Sequence, residues 1–189
     1  PELFEGASLY YMQPRENDPS DYVAIRLNNG ESVTITNTCA ANVLGILAEG
    51  DYARGNVESA TKAIKLLADE VGMSVQDTAR TILQKSTDKI KPVIEDLISK
   101  YKIERDQIVL VGAGGGAGTL LTFTANDMGF KYQIPENAEV ISSIGVALAM
   151  VREMVERTIP NPTAQDIAQL KKEAKELAMN SGAVEDSIE

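Results

Sequence analysis

The sequence contains no histidine and a single cysteine, and these two shortages remove several kinds of chemistry. Without histidine, neither a Ser-His-Asp nor a Cys-His catalytic arrangement can form, and a histidine-based zinc site is excluded within these 189 residues. Cys39 has no second cysteine with which to form an internal disulfide, so we expect a reducing, cytoplasmic location. As a nucleophile Cys39 would lack its usual imidazole base, and we expect it to be a small buried residue. Any catalysis must therefore use carboxylates, lysines, hydroxyls or backbone groups.

The sequence also lacks a dense cluster of basic residues and a long apolar run. Its net charge is −10, which argues against nucleic acid and anionic membrane surfaces as partners. No apolar stretch is long enough to span a bilayer, and the chain does not begin like a signal peptide. A length of 189 residues suffices for one core, and the start at Pro1 is interpreted as that of a piece of a longer protein.

The most informative stretch is a short apolar run followed by a glycine-rich loop. Residues 108–111 are apolar and mostly β-branched, which predicts a buried strand. The next seven positions contain five glycines, Gly112, Gly114, Gly115, Gly116 and Gly118. Residues 119–128 then predict a helix that ends at Gly129. Because this order directs free backbone amides and a helix N-terminus toward an anion, we interpret the stretch as one wall of a nucleotide site.

Other interpretations of the glycine loop differ in the spacing that they require. A P-loop needs Lys and Ser or Thr directly after its last glycine, and Thr119 and Leu120 stand there instead. A dinucleotide-binding fingerprint fits the letters from Gly112 to Ala117, with Glu136 near the position of the ribose-binding acid. Its context does not fit, since mainly helical patterns surround it. A third interpretation, a tight turn packed against a helix, remains an alternative, although five glycines exceed what a turn requires.

The N-terminal half of the chain predicts a hairpin followed by helices. Residues 1–20 are interpreted as an irregular leader or an edge element, and residues 22–27 and 32–36 as two strands of a hairpin. Helices are predicted after Asn37-Thr38, from Asn56 to Gly72, and from Ser74 onward, where Pro92 is expected to kink the helix or split it in two.

The C-terminal part predicts one more strand and two helices. The strand covers residues 131–134, and Asn137 is expected to cap a helix from Ala138 toward Arg157. Pro160 and Pro162 mark a boundary before a helix over residues 163–179. The predicted division is a leader over 1–20, a main body over 21–159 and a helix with a tail over 160–189.

Four segments of the chain together resemble the motifs of one known family, in that family's order. Residues 33–45 resemble its T-x-T-D-A-N-x-x-L-G stretch, and residues 75–98 resemble its long helix pair before the glycine loop. Residues 109–118 resemble its L-V-x-F-G-G-A-G-P element, and residues 135–148 its P-x-x-x-x-V-x-S-A-x-G helix. The family is the hydantoinase/5-oxoprolinase family. Three features depart from the family: Cys39-Ala40 stands where an Asp is usual, Thr119-Leu120-Leu121 replaces Pro-Leu-His, and the phosphate loop D-x-G-G-T-x-T-D is absent.

The resemblance implies an α/β fold of the actin-like ATPase (ribonuclease H-like) type, here one lobe with a small mixed sheet, a hairpin and a helix-rich insertion. It implies ATP with Mg²⁺ as cofactors and the ATP-dependent opening of a small cyclic amide. The glycines Gly112, Gly114, Gly115, Gly116 and Gly118 would hold adenosine, and Asn42 either lies near the cleft or has a structural role. The missing phosphate loop implies an N-terminal lobe elsewhere in the parent polypeptide as partner; a homo-oligomer is compatible, and no catalytic residue can be named.

Two further functions stay open at this point. The same superfamily contains chaperones and reactivating factors, so a nucleotide-responsive regulatory module is one alternative. The other is an interaction domain in which the glycine loop is only a packing device. Nucleotide binding by the intact parent would separate this last alternative from the others.

Overall fold

The computed structural model describes the backbone of all 189 residues and every side chain except that of Leu148, which ends the fourth segment above. The chain divides into two compact units, Pro1–Ile141 and Ser142–Glu189, each of which is described by itself. The predicted division at residues 20 and 159 stays a prediction.

The first unit begins with a three-stranded antiparallel sheet. Its strands are β1 (Ser8–Met12), β2 (Tyr22–Arg26) and β3 (Ser32–Thr34), in that order. The predicted hairpin is confirmed, since Ala24 pairs with Thr34 across the β2–β3 turn. Strand β1 pairs with β2 along its whole length and lies at the edge of the sheet, so of the two interpretations of residues 1–20 the edge element holds for residues 8–12 and the irregular leader does not. Pairing with a neighbour stabilises an edge strand that has little periodicity of its own.

Three helices follow, and polar side chains cap their N-termini. These helices are α1 (Asn37–Leu44), α2 (Val57–Val71) and α3 (Val75–Tyr101). Asn56 and Ser74 accept hydrogen bonds from the first turns of α2 and α3, as predicted, and Gly72 ends α2 in the left-handed conformation. The predicted cap of α1 is shifted by one residue, because the hydroxyl of Thr36 accepts from the amide of Cys39.

Helix α3 is continuous through Pro92, so the predicted split does not occur. A proline removes one hydrogen bond of the helix ladder, while packing supports the remaining turns. Here α3 packs against α1 and α2 through its first half, where Ala79 and Leu83 are fully buried.

A second, parallel pair of strands flanks the glycine loop. It consists of β4 (Val109–Val111) and β5 (Lys131–Gln133), and the helix between them is α4 (Ala117–Met128), which ends at Gly129 as predicted. The expected single mixed sheet is therefore wrong, since β4 and β5 pair with each other and not with β1–β3. Chain order alone does not determine which strands share backbone hydrogen bonds.

The core of the first unit has two parts. One lies among α1, α2 and α3 and contains Ala40, Ala41, Ile64, Ala79 and Leu83. The other lies between the antiparallel sheet and α2 and contains Ile25, Leu27 and Ala63. Small side chains in α1 let α2 and α3 approach closely, and the half-buried Leu120 and Phe123 of α4 pack on the first part.

Helix α5 (Ile141–Leu148) spans the boundary of the two units, and the second unit contains α6 (Ala164–Asn180). The helix expected from Ala138 to Arg157 instead starts as a short 3₁₀ turn, ends at Leu148, and is not capped by the side chain of Asn137. Of the side chains that would continue its apolar stripe, Val151 is 42% accessible and Val155 is half-buried, and the nearby Met150 and Met154 are 91% and 70% accessible. Amphipathic helices depend on packing for most of their stability, and this stripe has little. Helix α6 is confirmed.

Candidate functional site

The glycine loop joins β4 directly to the first turn of α4 and is held by three backbone hydrogen bonds. Gly112 donates to the carbonyl of Gln133 at 2.9 Å, and Gly114 donates to that of Ala138 at 2.6 Å. The amide of Ala117 closes a turn on Gly114 at 3.0 Å. Gly114 has φ +92°, a backbone conformation that favours glycine. These bonds tie the loop to β5 and to the turn that precedes α5.

Four amides of the loop have no partner. Among the described residues, the amides of Ala113, Gly115, Gly116 and Gly118 donate no hydrogen bond, and no side chain caps the N-terminus of α4. Unpaired amides at a helix N-terminus, together with the helix dipole, favour electron-rich ligand atoms. The loop can therefore donate hydrogen bonds to a bound molecule without any side chain.

The packing around the glycines shows that three of them are close to the chain's own side chains. A Cβ atom on Gly112 would lie 2.6 Å from Cδ2 of Leu121, and one on Gly115 would lie 3.0 Å from Cδ1 of Tyr52. A Cβ atom on Gly118 would collide with the carboxylate of Asp51. At Gly112 and Gly118 the neighbouring side chain would have to shift to admit a Cβ atom, and at Gly115 the exposed ring of Tyr52 would have to move slightly. Internal packing therefore favours glycine at these positions.

Gly116 differs from the other glycines of the loop. A Cβ atom there would meet no atom within 4 Å, and its φ of −105° is open to any residue. Neither packing nor backbone conformation in this chain requires a glycine at this position. The absence of a side chain at Gly116 leaves its backbone accessible to close approach by a bound molecule.

Gly116 lines a cavity of about 470 Å³ between the loop, the end of β4, α4 and the second half of α3. The lining is formed by apolar side chains, loop backbone and one hydroxyl: Ile90, Ile94, Leu110, Val111, Gly112, Ala113, Gly116, Ala117, Leu120, Leu121 and Thr124. No charged residue lines it. The size is in the range of small-molecule sites, and the lining suits a flat uncharged ring better than a phosphate chain.

Asn42 lies in α1 and is 5% exposed. Its amide group donates to the carbonyls of Thr38 at 2.9 Å and Ala53 at 3.0 Å, and its Oδ1 accepts from the amide of Gly55 at 2.8 Å. Asn42 does not line the cavity beside the glycine loop, whereas Gly112 and Gly116 do. Its predicted contact with a cofactor stays a prediction.

Sequence reasoning missed four residues around the loop. Ile90 and Ile94 of α3 line the cavity, and Asp51 and Tyr52 contact Gly118 and Gly115. The apolar stripe of α3 contained Ile90 and Ile94, but periodicity does not say what a helix face covers. For Asp51 and Tyr52 no sequence signal existed, because their contacts join positions about 65 residues apart.

The free cysteine and the charged pairs lie elsewhere. Cys39 is half-buried in α1, where its sulfur is 3.4 Å from the hydroxyl of Thr36. Lys91 of α3 forms an ion pair with Asp127 of α4, and this hydrogen bond raises the pKa of Lys91. A second cavity of about 370 Å³ lies near this pair and includes Arg80, Phe123 and Asp127 in its lining.

The residues present do not assemble a metal site. Among the described side chains, no group of three or more Asp, Glu, His or Cys residues could hold an ion. Magnesium prefers several oxygen ligands in octahedral geometry, which this arrangement does not supply. No helix in the described part of the chain combines the length and apolarity needed to cross a bilayer.

The strand, glycine loop, helix and adjoining cavity define an α/β domain with a candidate small-molecule site. The sequence profile of the Hydantoinase/oxoprolinase family matches residues 18–155, well over half of the chain. The chain therefore belongs to the hydantoinase/oxoprolinase family.

A search among curated proteins found no match. Among solved structures, the chain is similar to the nucleotide-free structure of acetone carboxylase, which is described as carrying out ATP-dependent acetone carboxylation. The identity is 19%, the TM-score is 0.55, and the match covers 95% of this chain and 29% of the other. The likeness shows a shared fold, and this chain spans under a third of that relative.

Proposed function

We propose that this chain forms the adenosine-binding side of the nucleotide cleft in an ATP-dependent enzyme that opens small cyclic amides, such as 5-oxoproline or a hydantoin. The observation that carries the proposal is Gly116, which lines the uncharged cavity and has no atom within 4 Å of the position that a Cβ atom would occupy. Family membership supports the reaction class. The described action of the similar acetone carboxylase, which is ATP-dependent, supports the cofactor.

The chemistry of the cavity supports a nucleoside rather than a triphosphate at this position. The apolar walls from α3 and α4 can enclose a purine ring, and the loop amides can donate to ring or ribose atoms. A triphosphate carries several negative charges, and the lining supplies no cationic side chain to balance them. The phosphates and Mg²⁺ would then be held by the N-terminal lobe of the parent polypeptide, and we assign no magnesium ligand to this chain.

The proposal includes an actin-like ATPase lobe and a cytoplasmic location. The glycines Gly112, Gly114, Gly115, Gly116 and Gly118 then have different roles. Gly116 approaches the ligand, Gly114 allows the turn, and the other three allow close packing of Leu121, Tyr52 and Asp51 on the loop. No side chain of this chain is proposed as catalytic.

Calorimetric titration of the full-length parent with ATP, ADP and adenosine tests the proposal. In Gly116→Leu a side chain would occupy the open space, and we expect affinity for all three ligands to fall about tenfold or more, as for a loss of about 1.4 kcal/mol. Gly145→Ala is the matched control, because this glycine also has open space around it and no positive φ. Gly115→Val would be less informative, since it would also displace Tyr52.

Either of two outcomes overturns the proposal. One is the absence of nucleotide binding by a well-folded parent. The other is equal binding by the parent, by Gly116→Leu and by Gly145→Ala. Binding that only Gly116→Leu loses supports the proposal and justifies a screen of cyclic amides as substrates.

A second candidate is an interaction domain without nucleotide. The packing of Leu121, Tyr52 and Asp51 around three of the five glycines favours it, because close packing is a sufficient reason for those positions. The same titration separates the candidates, since an interaction domain of this kind would bind none of the three ligands, with or without the Gly116 substitution. A nucleotide-responsive regulatory module would bind ATP but not cleave cyclic amides.

A further inference from the structure

The segment 45–55, which connects α1 to α2, reaches the glycine loop through two adjacent residues. The ring of Tyr52 lies against Gly115, and the carboxylate of Asp51 lies against Gly118 in the first turn of α4. Tyr52 is 77% exposed, so it covers the loop from the solvent side and is not part of the core.

Within this segment, residues 47–55 depend on one side chain for their hydrogen bonds to the body of the domain. In the described structure, the bonds from residues 47–55 to other segments all go to Asn42: from its amide group to Ala53 and to its Oδ1 from Gly55. The other bonds, such as that from the amide of Ala53 to Oδ1 of Asp51 at 2.8 Å, are internal to the segment.

Asn42 is itself rigidly placed. It is buried, its amide group also donates to Thr38 one turn earlier in α1, and its neighbours Ala40 and Ala41 are fully buried. A buried amide with three satisfied hydrogen bonds has one orientation, and losing it would leave polar groups unpaired. The orientation of Asn42 is therefore transmitted to residues 51–55.

We infer that Asn42 is a positioning residue, which holds Asp51 and Tyr52 against the glycine loop and so sets the geometry of that loop. The inference deepens the proposed function, on which its ligand-binding part rests. Small displacements of donors that contact a ligand cause large losses of affinity, so a residue that never touches the ligand can still control binding.

Hydrogen exchange, measured on the chain without ligand, tests whether Asn42 controls the geometry of the glycine loop. The reporters are the bonded amides of Gly112, Gly114 and Ala117, and the variants are Asn42→Ala and, as matched control, the exposed Asn17→Ala. In Asn42→Ala we expect exchange to accelerate about tenfold or more at the three reporters and at Gly55, with α2 unchanged. Acceleration confined to residues 45–55 would overturn the inference.

A further variant guards against loss of folding. Tyr52→Ala removes an exposed ring and should accelerate the reporter at Gly114 while Gly55 stays protected by Asn42. Asn42→Asp keeps an acceptor for Gly55 but turns a buried carboxylate toward the carbonyls of Thr38 and Ala53, so its reporters should exchange at least as fast as in Asn42→Ala. If the reporters exchange at the wild-type rates in Tyr52→Ala, Asn42 does not act on the glycine loop through the ring of Tyr52.

Titration with adenosine tests the ligand-binding part. We expect Asn42→Ala and Tyr52→Ala to weaken binding, and Asn17→Ala to leave it unchanged. If none of the proteins, including the parent, binds adenosine, the proposed function fails. The exchange results then still decide whether Asn42 controls the geometry of the glycine loop. Wild-type affinity in Asn42→Ala with accelerated reporters would overturn the positioning role.

Discussion

Two buried threonines meet where α3 packs on α4. The hydroxyls of Thr87 and Thr124 are 2.9 Å apart, and the residues are 0% and 2% exposed. Each hydroxyl is the only hydrogen-bonding partner that the other has among the described side chains. Thr124 also lines the cavity, so this bond lies directly behind the candidate site.

Substitution of either threonine by valine is expected to destabilise the fold. Thr87→Val or Thr124→Val leaves one hydroxyl unpaired in a buried site, at a cost of about 1–3 kcal/mol in unfolding free energy. The double variant removes both hydroxyls and should be closer to the wild type than the sum of the single effects. Urea unfolding measures this, with the exposed Thr81→Val as control. Additive single effects would show that the hydroxyls do not depend on each other.

At the scale of elements, α6 has a complete capping box at its N-terminus. The hydroxyl of Thr163 accepts from the amide of Asp166, and the carboxylate of Asp166 accepts from the amide of Thr163 at 2.8 Å. The hydroxyl of Thr163 also donates to that carboxylate at 2.6 Å. These hydrogen bonds lower the pKa of Asp166 below its ordinary value of 3.8. They favour the ionised form, which also suits the helix N-terminus.

The lowered pKa predicts that α6 loses stability in acid. A carboxyl whose pKa is lower in the folded state contributes its full stabilisation above its ordinary pKa and loses it as the pH falls through the folded value. We therefore expect the helical circular dichroism of the chain to decrease below about pH 4 in part through this group. Asp166→Asn should remove that part of the pH dependence, and Asp186→Asn, which lacks such a box, should not. Identical acid titrations of the two variants would contradict this role of Asp166.

At the scale of the whole molecule, charge is unbalanced. The 28 acidic and 18 basic residues leave a net charge of −10. The excess of like charges repels itself in the compact state, and several ion pairs, such as Lys65 with Asp69, are exposed and contribute little. Salt screens the long-range repulsion more than it weakens such pairs, because the paired charges are closer together than a Debye length.

Added salt is expected to raise the thermal stability. Between about 0.02 M and 0.3 M NaCl, screening should increase the Tm by a few degrees, because the Debye length falls below the spacing of most surface charges. Differential scanning calorimetry at neutral pH measures the shift, and an equal concentration of a neutral osmolyte gives the baseline. A Tm that falls with salt would mean that attractive pairs outweigh the net repulsion.

Much of the local structure of the chain could be predicted from short patterns. Asn56, Ser74, Gly72 and Gly129 mark helix ends in the structure as they do in the sequence. The hairpin around Asn28-Asn29-Gly30 and the order of strand, glycine loop and helix are also confirmed. Caps and turns are made by residues within about four positions of each other, so their determinants are local.

Predictions that depend on distant partners were wrong. The bounds of strand β1 within the possible edge element were not predicted, a single mixed sheet was expected where two sheets exist, and the predicted helix after Ala138 was too long. Each of these features depends on which distant segment supplies hydrogen bonds or apolar contact.

In the candidate site, too, some features follow from the sequence and others depend on distant residues. The sequence by itself determined the glycine loop, its place between β4 and α4, and the membership of the hydantoinase/oxoprolinase family. Only the tertiary structure separated the open Gly116 from the packed Gly115 and Gly118, and placed Asn42 behind the segment that covers them. The physical reason is that five glycines have the same backbone freedom along a chain, whereas the space around Gly115 and Gly118 is decided by Tyr52 and Asp51, about 65 positions away.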